Sequence, residues 1–83
     1  MDRIVNSTAG LGRVIRDSRK RLGLSQAALA TRVGMHQPTI SNIERGAKHT
    51  SSDAVLRLMA ALQLQLVIRE RGSEDLKTPW SED

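Results

Sequence analysis

Leu22-Gly-Leu-Ser-Gln-Ala-Ala-Leu-Ala-Thr-Arg-Val-Gly-Met-His-Gln-Pro-Thr-Ile-Ser-Asn-Ile-Glu-Arg-Gly46 is the stretch that decides the fold. Ser25 can cap a helix by accepting a backbone N–H bond. Gln26 to Val33 then run without a breaker, with Leu29, Ala30 and Val33 on one face. Gly34 stops that helix, because a left-handed residue is cheapest for glycine. Met35 and His36 connect it to a second helix, expected over about Gln37 to Arg45. Pro38 falls in the first turn of that helix, where its missing N–H costs nothing. Ile40 and Ile43 give the buried stripe, and Gly46 ends it. From Gln26, the small Ala30 lies four residues on, Gly34 eight, Ile40 fourteen and Ile43 seventeen. A small residue allows two helices to approach, glycine permits a tight turn, and the isoleucines fix the second helix against its neighbours.

Outward from this hairpin, the N-terminal side reads as an arm (1–6) and one longer helix. Ser7 or Thr8 can cap it. Leu11, Val14, Ile15, Ser18 and Leu22 recur at helical spacing, and Gly23 ends it. On the C-terminal side, Ser51 or Ser52 can cap a fourth helix, and Asp53 suits its positive end. Val55, Leu58, Met59 and Leu62 form its inward set, with Leu56 to one side, available to a second subunit. The period then changes. Leu64, Leu66 and Ile68 alternate with Gln65 and Arg69, as in a strand. A lone strand needs a partner, most simply the same strand of another copy. The alternative is that residues 63–69 extend the fourth helix. Residues 72–83 are polar and acidic and predict a disordered tail. The expected organisation is thus an arm at 1–6, a domain at 7–63, a dimerisation strand at 64–71 and the tail.

Composition narrows the function. Eighty-three residues suffice for one small domain, and one Trp with no Phe or Tyr makes its core aliphatic. Zero Cys removes disulfides, thiol nucleophiles and Cys-ligated metals. Two His are too few for an all-His metal site, and no apolar run approaches a membrane span. No cofactor, metal or catalytic constellation is expected, and a cytoplasmic protein is. The net charge is +4. Residues 1–63 hold ten Lys/Arg against four Asp/Glu, whereas residues 64–83 hold three against five. A basic body suggests a polyanion partner.

The exposed side chains of the second hairpin helix fit that partner. His36, Gln37, Pro38 and Ser41 sit where a helix entering the major groove would meet bases. Glutamine can pair with adenine, serine with either base type, and proline with a thymine methyl. Ser25, Gln26, Thr39, Asn42, Arg45 and Lys48 are placed for phosphates. Arg13, Arg16, Lys20 and Arg21 read mainly as a solvated face, with one of them touching a phosphate, and His49 reads as a loop residue.

The quoted stretch closely resembles the phage-repressor-like, or xenobiotic-response-element, helix-turn-helix family over about residues 8–63. The resemblance implies an all-α bundle of four or five helices and a two-fold dimer on a palindromic operator. It also implies that Gln26 buttresses the recognition helix, and that Arg19 and Glu44 form an ion pair between the first and third helices. A narrower similarity, to HipB-like antitoxins, rests on the alternating 64–70 segment and a Trp near the end. It implies a strand of Leu64, Leu66 and Ile68 paired across a homodimer. It also implies an autorepressed operon and a HipA-like serine/threonine kinase toxin as partner, with Trp80 as a candidate toxin contact. The other reading of Trp80 is a tail residue without a role. The alternative to an antitoxin is a stand-alone repressor.

Overall fold

The computed structural model describes residues 3–70. It contains four helices: α1 (Thr8–Arg21), α2 (Gln26–Val33), α3 (Gln37–Glu44) and α4 (Ser52–Ala61). The serine caps form as the residue types dictate. Ser7, Ser25 and Ser51 accept from the backbone N–H groups of Gly10, Ala28 and Ala54 at 3.0, 3.0 and 3.1 Å. Each satisfies a donor that the first turn leaves without an intrahelical partner.

All four helices end the same way. The chain reverses through one left-handed residue, whose N–H and that of the next residue return to the last turn. Gly23, Gly34 and Gly46 fill this position after α1, α2 and α3. After α4 it is Gln63, at φ 61°. The N–H groups of Gln63 and Leu64 donate to the carbonyls of Ala60 and Met59 at 3.2 and 2.8 Å. That double return closes α4, so residues 63–69 do not extend it.

The core is aliphatic. Ile15 of α1, Leu29 and Ala30 of α2, Ile40 and Ile43 of α3, and Leu58 and Leu62 of the α4 end form one buried cluster. Leu11, Leu24, Val33, Met35, Ala54, Ala61 and Leu64 pack around it. Leu22, expected inward, is 37% exposed. It is the C-cap residue of α1 and has left the helical wheel, so Leu24 covers the core instead.

Packing pairs α1 with α3, α2 with α3 and α2 with α4. The first contact depends on Gly12. A Cβ there would lie 2.5 Å from the carbonyl oxygens of both Ile43 and Glu44. Glycine therefore lets the α1 backbone touch the C-terminal end of α3.

Residues 64–70 carry no regular secondary structure, and no strand occurs among the described residues. A strand is defined by its ladder partner, and the expected partner was a second copy. Leu66, Val67 and Ile68 are 64%, 62% and 91% exposed. The acidic tail at 72–83, including Trp80, lies outside the described residues.

Candidate nucleic-acid interface

The α2–α3 hairpin turns through Gly34 at φ 68°, and His36 is the N-cap of α3. His36 makes no side-chain cap bond. Gln37, Pro38, Thr39 and Asn42 are exposed and Ser41 is half-buried. The face opposite carries buried Ile40 and Ile43. Period 3.6 separates these two sets, so burial of the isoleucines aims the polar side chains outward.

A chain of four polar side chains orients this helix. Arg19 Nε and Nη2 donate to the two carboxylate oxygens of Glu44 at 2.7 and 2.9 Å. Arg19 Nη1 also donates to the carbonyl of Leu24 at 2.8 Å. Gln26 Nε2 donates to Glu44 Oε1 at 3.1 Å, and Gln37 Nε2 donates to Gln26 Oε1 at 3.3 Å. The direction of the chain follows from chemistry. An ionised carboxylate only accepts, so Gln26 must turn its NH2 to Glu44. Its oxygen then faces Gln37, which must donate in turn. Gln37 is left with a free carbonyl oxygen and one N–H, the donor–acceptor pair that matches an adenine edge.

The Arg19–Glu44 side chains are only 9% and 4% exposed. Burial pushes the Glu44 carboxyl up, but the hydrogen bonds from Arg19 and Gln26 and the charges of Arg19 and Arg16 outweigh it. The carboxyl is held below its ordinary range. Glu44 holds the Arg19 guanidinium above its own ordinary value in return. The ion pair expected from the family resemblance is present, as is the buttressing of Gln37 by Gln26.

Farther along α3, Arg45 folds back over its own helix. It donates to Ser41 Oγ at 2.6 Å and to Asn42 Oδ1. With Asn42 Oδ1 occupied, its NH2 turns outward as a donor. Gln37, Pro38, Ser41, Asn42 and Arg45 line one shallow hollow. Their grouping on one face was legible from spacing. The Arg45 bonds were not foreseen, although i,i+3 and i,i+4 spacing could have suggested them. Ser25 is occupied as the α2 cap, though its hydroxyl hydrogen is still free to donate. Thr39 and Lys48 are exposed outside the hollow, Lys48 in the α3–α4 loop.

A second hollow lies between α1, α2 and α3, lined in part by Arg16, Lys20, Gln26 and Arg45. From sequence alone Arg16 and Lys20 belong to a mainly solvated face with a single phosphate contact; the fold brings both to one hollow. Among the described residues no cluster of His, Asp or Glu could hold a metal ion, and no helix is long and apolar enough to cross a membrane.

Comparison with known proteins agrees with this geometry. The helix-turn-helix domain family matches residues 10–71. An uncharacterized HTH-type transcriptional regulator of Haemophilus influenzae is 41% identical over 51 residues, which are 61% of this chain and 52% of that protein. The chain thus spans about half the length of that relative. A point variant of HipB in complex with an O2 20mer superposes with a TM-score of 0.77 at 26% identity, covering 84% of this chain and 97% of that one. HipB in a HipA–HipB–O2–O3 complex gives 0.76 at 25%, covering 83% and 97%. The restriction-modification controller protein C.AhdI from Aeromonas hydrophila gives 0.64 at 31%, covering 70% and 88%. With 62 of its 83 residues matched, the chain belongs to the helix-turn-helix domain family.

Proposed function

We propose that this protein is a sequence-specific DNA-binding transcriptional repressor that acts as the antitoxin of a HipA-like serine/threonine kinase. The observation that carries the DNA reading is the Arg19–Glu44–Gln26–Gln37 chain. It runs from a buried ion pair, through Gln26, to one exposed amide at the start of α3 and fixes that amide's orientation toward solvent. In this reading α3 enters the major groove. Gln37 and Ser41 meet bases, with His36 and Pro38 beside them. Ser25, Gln26, Thr39, Asn42, Arg45 and Lys48 hold the backbone.

Two copies bind a palindromic operator, each supplying one half-site. Leu66 and Ile68 pair across the two-fold axis, with Leu64, whose N–H closes α4 and whose side chain packs on its own core, at the start of the segment, and Leu56, 49% exposed on α4, lies in the same interface. The kinase partner is supported by the similarity to HipB, which has been solved together with HipA. Trp80 is the candidate contact on that side. The similarity to a restriction-modification controller favours a second reading, a stand-alone repressor without a toxin.

One experiment separates the two. The tagged protein is purified from its own host and the co-purifying proteins are identified by mass spectrometry. A kinase-like protein in near-stoichiometric amount supports the antitoxin. Recovery of DNA and the homodimer alone supports the stand-alone repressor.

A further inference from the structure

We propose that Arg16 and Lys20 of α1, with Arg45 of α3 across the hollow, form a seat for one backbone phosphate of duplex DNA. The inference rests on the DNA reading above and extends the interface to a helix outside the hairpin. Arg16 and Lys20 stand one turn apart on α1 and share a face. They line a single hollow with Gln26 and Arg45, so three helices converge there.

The charge balance points to an anion. The hollow also contains Arg19 and Glu44, but those two neutralise each other in a bidentate pair. Arg16, Lys20 and Arg45 make no ion pair among the described residues. The one carboxylate between the α1 cations in sequence, Asp17, is taken up by Arg3 of the arm at 2.8 Å. Three cations thus line one opening against a single lining carboxylate, Glu44, which is already paired with Arg19 and also feels the charge of Arg16.

Position selects the DNA backbone over a free anion. The hollow adjoins Gln26, which is bonded directly to the base-reading candidate Gln37. In this proposal a strand bordering the groove passes over the opening and Lys20 and Arg16 meet its backbone, as phosphate contacts position a protein on the duplex. They add affinity and orientation and carry no sequence information.

The test uses the full chain and a mixed-sequence 20-base-pair duplex, since a phosphate contact needs no particular operator. Binding is measured from low to physiological salt for the wild type, for the double variant Arg16→Gln/Lys20→Gln, and for Arg32→Gln. Arg32 is exposed on α2 outside both hollows. The double variant is expected to make the slope of log K against log salt shallower by about 0.9, one phosphate contact. Arg32→Gln is expected to leave it unchanged. Circular dichroism checks that each variant is folded. A wild-type slope in the double variant overturns the seat and leaves the DNA reading intact. A wild type that binds no duplex at low salt overturns both.

Discussion

Replacing Glu44 by Gln tests the polar chain at its centre. The substitution keeps shape and volume and removes one charge. Arg19, 8% exposed, is then left as a buried cation without a counter-charge. Breaking a buried pair by removing one partner costs about 3–5 kcal/mol. The surviving amide oxygen can still accept one bond from Arg19, which places the expected loss near the lower end. The second effect is local. Glu44 Oε1 accepts from both Arg19 Nη2 and Gln26 Nε2, whereas Oε2 accepts from Arg19 Nε alone. The new amide therefore keeps its oxygen at the Oε1 position and sets its NH2 against Arg19 Nε, and Gln26 and Gln37 keep their orientation.

Urea unfolding at neutral pH reads the first effect, and its pH dependence supplies an internal check. The folded Glu44 carboxyl titrates below its unfolded value. Its contribution is therefore complete above the ordinary glutamate range, about pH 4.3. It is lost as the pH falls through the lower folded value. Wild type and Glu44→Gln are expected to differ by about 3 kcal/mol at neutral pH, and the difference is expected to narrow in acid. A loss under about 1 kcal/mol, typical of an exposed pair, or a difference that does not shrink in acid, would refute this account of the pair.

Three further outcomes follow from the packing. Gly12→Ala drives a methyl into the backbone of α3 and is expected to lose about 1–3 kcal/mol of stability; a neutral change in thermal unfolding would contradict the close contact. Gln63→Gly relieves a left-handed residue worth about 1–2 kcal/mol. The added freedom of the unfolded chain offsets about 0.5–1 of that, so a modest rise in the denaturation midpoint is expected and a fall would count against it. Leu66→Asp puts a charge on the expected inter-subunit strand, and sedimentation equilibrium is expected to report a weakened dimer; an unchanged dimer would remove that strand from the interface.

The helices were legible in the sequence because their boundaries are local. Ser7, Ser25 and Ser51 each stand before an apolar-periodic run, and a glycine follows each of the first three helices. The fourth ends at a glutamine, which carries no such signal, and there the strand and the longer helix could not be told apart. Gly12 carries no distinctive signal in the sequence, since only packing shows that it touches the Ile43 and Glu44 carbonyls. Leu22 read as core because periodicity does not say where the wheel stops.

The site divides in the same way. The outward residues of α3 follow from the burial of Ile40 and Ile43. The Arg19–Glu44 pair came from resemblance to a known family. The bond from Gln26 to Glu44, and the meeting of Arg16 and Lys20 with Arg45, depend on how three helices cross. Spacing along one chain does not encode that. The expected strand would need a second chain as its ladder partner, and residues 64–70 carry no strand in a single copy.

The central claim is base reading by α3, and the most direct measurement is discrimination by Gln37. Duplexes are enriched from a random pool on the wild-type protein, and the affinity of wild type and Gln37→Ala is compared on the selected duplex and a scrambled one. The account predicts a palindromic consensus. It predicts a loss of about 1–3 kcal/mol for the variant on the selected duplex and almost none on the scrambled one. Equal losses on both duplexes, or a pool that enriches no sequence, would contradict it.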